Sequence, residues 1–101
     1  MLTIEKVKKL ERYLESSESE PDRLIGSAID KLLDRERSRL MDTKGHLVSR
    51  MMEFEDQYLL DSATFHRLFN AGELGDEMDF FEWDAIIEMI EQIDQKLHLL
   101  L

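Results

Sequence analysis

Between Gly72 and Trp83 the chain gathers two glycines, five carboxylates and three aromatics into twelve residues. Carboxylates so close together could hold a hard cation, and Asp76, Glu77, Asp79 and Glu82 would be the oxygen donors. A calcium loop, however, needs alternating ligands around a central glycine and a bidentate Glu at its twelfth position. Here Asp76, Asp79 and Glu82 follow one another at intervals of three with no such glycine, so no metal is expected. Two uses remain. Asp79 and Glu82 have the spacing of a capping box at a helix start, with Phe80 or Phe81 and Trp83 turned inward. Alternatively an aromatic stays outside within an acidic rim, the setting in which Trp commonly anchors an interface. The second use defines a candidate partner-binding set: Glu73, Asp76, Asp79, Phe80, Phe81, Glu82 and Trp83.

A second constellation is Glu88, Glu91 and Asp94, with Asp84 one turn earlier. Spacings of three and four put carboxylates on one helical face. All-α nucleoside-triphosphate pyrophosphatases hold Mg²⁺ with such pairs on facing helices, which makes a Mg²⁺-dependent nucleotide hydrolase the alternative reading. The opposing carboxylates would be Glu53, Glu55 and Asp56. Against it, Glu88, Glu91 and Asp94 fall about opposite the apolar positions of their own helix, and no Lys- or Arg-rich segment nearby would bind a triphosphate. His46, His66 and His98 stand in no Glu-x-x-His or His-x-x-x-His arrangement, so helical di-iron and zinc patterns are missing. Without Cys, and with its serines in a loop, at caps or on a basic helix face, the chain offers no nucleophile turn. The expectation is a protein that is not an enzyme and uses no cofactor.

The elements that must position these residues are legible as apolar periodicities. Thr3 reads as the N-cap of a helix carrying Ile4, Val7, Leu10 and Leu14. A polar stretch, Ser16 to Glu20, leads to Pro21, well suited to the first turn of a second helix. That helix begins with Leu24, Ile25, Ala28, Ile29, Leu32 and Leu33, and continues with Leu33, Leu40, Leu47 and Phe54 at intervals of seven. Met51 and Tyr58 complete the three-four alternation at its far end, while Arg37 and Lys44 interrupt it earlier, so the coiled-coil seam is incomplete. Gly45 is the place where this helix would break, at a cost of about 1 kcal/mol relative to Ala. Ser62 is expected to cap a short third helix with Phe65, Leu68 and Phe69 on its buried face, and Gly72 to end it. Asp79 is expected to start a last helix with the seam Ile86, Ile90, Ile93, Leu97 and Leu100.

These readings give one all-α domain over 1–101, with helices at 3–15, 21–58, 62–71 and 79–100. The expected architecture is a long antiparallel helical hairpin with short additional helices. Its seams, Leu33, Leu40, Leu47, Phe54, Ile86, Ile90, Ile93 and Leu97, close within one chain or, in coiled-coil-like packing, between two. A domain of 101 residues buries little surface by itself, so a homodimer is expected. No apolar run approaches the ~20 residues of a membrane span, and the N-terminus lacks the apolar core of a signal peptide. A cytoplasmic protein with no membrane partner follows.

Charge is distributed unevenly. Residues 1–50 hold eleven Lys or Arg against ten Asp or Glu, whereas residues 51–101 hold two against thirteen. An acidic C-terminal half repels nucleic acid and attracts basic surfaces. Lys31, Arg35, Arg37, Arg39, Lys44 and Arg50 are interleaved with Asp30, Asp34, Glu36 and Asp42 at salt-bridging spacings. Nucleic-acid contact is therefore expected to be weak at most. The expected partner is a small basic protein.

The motif Phe65-His66-Arg67-Leu68-Phe69, then Gly72-Glu73-Leu74-Gly75-Asp76, then Asp79-Phe80-Phe81-Glu82-Trp83 resembles a family of short prokaryotic proteins known as antitoxin components of type II toxin–antitoxin pairs. The resemblance covers residues 20–100 in layout and Gly72 to Trp83 in specific sequence. It implies a partner that is a small toxin, often a ribonuclease, neutralised by direct contact. A ribonuclease surface is basic because it binds RNA, and an acidic helical half is suited to cover it. Many antitoxins also carry a DNA-binding fold for self-repression, and the N-terminal half here shows no recognisable one. A coiled-coil scaffold or adaptor without a toxin would present the same sequence pattern.

Overall fold

The computed structural model describes residues 3–16 and 20–101. Four helices account for most of them: α1 (Thr3–Ser16), α2 (Glu20–Tyr58), α3 (Ser62–Asn70) and α4 (Met78–Leu99). No strand occurs among the described residues. The polar turn expected at Ser17-Glu18-Ser19 lies outside them, as do the side chains of Leu14 and Pro21. The chain divides into two compact units, Met1–Glu36 and Arg37–Leu101, whose boundary falls inside α2. In the first unit no described side chain is buried: Ile4, Val7, Leu10, Tyr13, Leu24 and Leu32 are exposed, and Ile25, Ile29 and Leu33 are half-buried.

The second unit holds the core. Phe54, Phe65, Trp83 and Ile86 form its centre, and Leu47, Met51, Tyr58, Leu60, Phe69, Leu74, Phe80, Ile87 and Ile90 pack around them. Leu40 and Ile93 are buried further along the same two helices. Of the seam positions, Leu40, Phe54, Ile86 and Ile93 are thus buried, while Leu33, Leu47, Ile90 and Leu97 are half-buried. Between α2 and α4 the polar contacts descend in order. Arg37 Nε donates to the Leu100 carbonyl at 2.9 Å. Lys44 pairs with Asp94 at 2.6 Å, Arg50 with Glu82 at 2.8 Å, and the Tyr58 hydroxyl donates to Asp79 at 2.6 Å. Helix α2 runs through Gly45 without a break, and a Cβ built there would meet nothing within 4 Å.

The connections that hold α3 against α4 are built from local chemistry. At the end of α2, Leu59 takes the left-handed conformation (φ 52°) usually left to glycine, and the Leu60 N–H reaches back to the Glu55 carbonyl at 3.3 Å. Helix α3 is capped by Asp61, not by Ser62: the Asp61 carboxylate accepts the Thr64 N–H at 2.8 Å. Ser62 is instead the first helical residue, its own N–H bound to Glu55 Oε2 at 2.8 Å. Gly72 (φ 73°) ends α3, with its N–H on the Phe69 carbonyl and the Glu73 N–H on that of Leu68, both at 3.0 Å. This is the Schellman arrangement, which satisfies carbonyls that a helix end leaves open.

Candidate functional site

The segment after Gly72 leaves α3 as an acidic loop pinned by one apolar side chain. Leu74 packs against the core, while Glu73, Asp76 and Glu77 are exposed. Helix α4 then starts after Glu77, whose side chain makes no capping bond. The expected cap, Asp79, lies inside the helix and works across it instead, accepting the Tyr58 hydroxyl at 2.6 Å. Glu77 Oε2 stands 3.4 Å from the same hydroxyl. With carboxylates around it, the phenol resists ionisation: the hydrogen bond to Asp79, then burial and the negative charges, push Tyr58 up to about 12.

The aromatics of the motif divide by helical phase. Trp83 is fully buried, stacked on Phe65 with ring centres 3.8 Å apart and donating its indole N–H to Ser62 Oγ at 2.9 Å. This corrects the expectation that Trp83 faces a partner, because a side chain with no exposed surface has none to offer. Phe80 is half-buried, edge-on to Tyr58 at 5.2 Å. Phe81 points outward, 52% exposed, with its ring perpendicular to Phe69. Glu82 is exposed but tethered to Arg50, which also binds Glu53 at 2.8 Å and lies 4.3 Å from the Phe54 ring centre.

Of the seven residues singled out from the sequence, Glu73, Asp76, Phe81 and Glu82 therefore lie on the surface. Asp79 and Phe80 are partly covered and Trp83 is interior. Sequence reasoning missed Met78, 82% exposed and three residues before Phe81. Continuing at helical spacing, Ala85 and Glu88 are exposed too. The outer face of α4 is thus a short apolar strip, Met78, Phe81 and Ala85, edged by Glu77, Glu82 and Glu88. The spacing of Met78 from Phe81 was the available signal.

Several of the carboxylates that a Mg²⁺ site would use are engaged elsewhere. Asp94 is held by Lys44, Glu53 by Arg50, and Glu55 by the Ser62 N–H. No group of three His, Cys, Asp or Glu side chains among the described residues is placed to hold a metal ion. A second pairing, also missed from sequence, joins His66 Nδ1 to Asp84 Oδ1 at 2.9 Å across α3 and α4. An oriented imidazole of this kind is half of a nucleophile-activating device. The nearby Ser62 hydroxyl, however, is engaged by Trp83.

No family model matches this chain, and neither a curated protein nor a solved structure matches it.

Proposed function

We propose that this chain is an antitoxin-like protein that binds and neutralises a small basic toxin, a ribonuclease by class, through the acidic surface of its C-terminal half. The observation that carries the reading is the outer face of the α4 start, where half-exposed Phe81 and exposed Met78 sit among Glu73, Asp76, Glu77 and Glu82. An apolar anchor with mainly acidic neighbours has the anatomy of an interface: burial of the anchor supplies affinity, and the rim steers an oppositely charged partner and excludes others. The residues of this surface are those of the motif that resembles the antitoxin family, with Phe81 and Met78 in the role first assigned to Trp83. In this reading the second half of α2 and α4 close as an antiparallel hairpin that holds the binding face rigid. Two copies pair through the exposed apolar face of α1 and the start of α2, and the protein works in the cytoplasm of a prokaryotic cell.

The test is binding of the captured partner to surface variants that leave the core intact. Phe81→Ala and Asp76→Lys are each expected to weaken it by about tenfold, roughly 1.4 kcal/mol, with helicity unchanged. Wild-type affinity in both variants would remove the site assignment.

A further inference from the structure

Helices α2, α3 and α4 leave a groove of ≈ 380 Å³ lined by Met51, Ser62, Ala63, His66, Ile87, Ile90 and Glu91. None of its residues belongs to the outer face of α4 described above. We propose that this groove is a second docking site, and that it takes the apolar side of a basic amphipathic helix. Both walls are helical ridges: Ile87 and Ile90 are one turn apart on α4, as are Ala63 and His66 on α3. Ridges spaced in this way interdigitate with the side chains of another helix. Most of the lining is apolar and includes Met51, whose flexible thioether adapts to the shape it meets.

Charge selects the occupant. Glu91 on the rim is exposed and has no ion-pair partner among the described residues, unlike Asp84, which His66 holds. The unit around it, Arg37–Leu101, carries fourteen Asp or Glu against six Lys or Arg. Two copies of this groove set face to face would bring acid against acid. A helix with Lys or Arg flanking its apolar stripe sets the opposite sign against Glu91 and the acidic unit around it. The inference shares with the proposed function the expectation of a basic partner, but it rests on a different surface.

The probe is a dye-labelled synthetic helix of roughly eighteen residues, five turns, patterned with Leu on one face and Lys on the other. A Leu/Glu peptide of the same pattern is the control, and anisotropy with the full chain is the readout. The Lys peptide is expected to bind and the Glu peptide not to. Ala63→Arg and Glu91→Lys should each cost about tenfold or more in affinity. Glu88→Lys makes the same change of charge one turn earlier, at a residue that does not line the groove, and should stay within about twofold of wild type. Phe81→Ala should leave peptide binding unchanged while weakening the toxin complex, so the two readings fail separately. Absence of binding, equal binding of both peptides, or equal losses for Glu91→Lys and Glu88→Lys would overturn the groove. So would a dimer that Ala63→Arg dissociates, because a second copy would then be the occupant. Should Ala63→Arg lose helicity, the Glu91 and Glu88 pair decides alone.

Discussion

At the residue scale, Trp83 of the motif and Tyr58 of α2 both hold the fold. Trp83 fills the centre of the core, and its N–H is satisfied by Ser62 Oγ. Truncation to Ala is expected to cost about 3–5 kcal/mol, as for other large aromatics removed from a core. A urea titration checks this, and a loss below ~1 kcal/mol would contradict the burial described. Tyr58 gives a prediction in pH. Its folded value, about 12, lies above the ordinary 10. Between these two the unfolded chain has released the proton that the folded chain keeps, so stability present below pH 10 is lost as pH rises toward 12. In Tyr58→Phe that part of the decline should vanish, so the wild type's advantage in unfolding midpoint should shrink from pH 9 to pH 12. Parallel curves would show that the Asp79 bond contributes nothing. The motif itself was visible in sequence, but the division of its aromatics was not. Phe80, Phe81 and Trp83 are near-neighbours, and a shift of one position in helix phase decides which goes inside. The partners that fix the phase, Ser62 and Phe65, sit on another helix.

At the element scale, periodicity carried most of the information. The intervals of seven from Leu40 to Phe54, and of three and four from Ile86 to Ile93, mark positions that are buried or half-buried. Helix ends were less legible. Asp61 displaced Ser62 as the cap of α3, since a carboxylate immediately before the first turn can take the Thr64 N–H, and Ser62 was drawn to Trp83. Asp79 lost its capping role to a stronger use, the bond to Tyr58 from α2, which no local spacing reports. Gly45 offers a direct test of the long helix. It lies inside α2, exposed, with room for a Cβ. Gly45→Ala is therefore expected to stabilise the protein by about 0.5–1 kcal/mol. Loss of stability would instead mean that the helix does not pass through this position.

At the scale of the whole molecule, charge and exposed apolar surface are the features that demand an explanation. The second unit folds around its aromatic core, while α1 and the start of α2 bury none of their described side chains. No helix among the described residues is long and apolar enough to cross a membrane. The all-helical class was legible in the sequence from its apolar periodicities of three, four and seven. The groove between α2, α3 and α4 was not, because it is formed by residues far apart in the chain and of ordinary type. The most direct test of the central claim is capture from the protein's own cells at low and at high salt, followed by assay of the captured species for ribonuclease activity with and without this chain. The expected result is a small basic protein, bound in stoichiometric amount, released by salt, and inhibited when the chain is added back. A bead that captures nothing, or a captured protein whose activity the chain leaves unchanged, would contradict it.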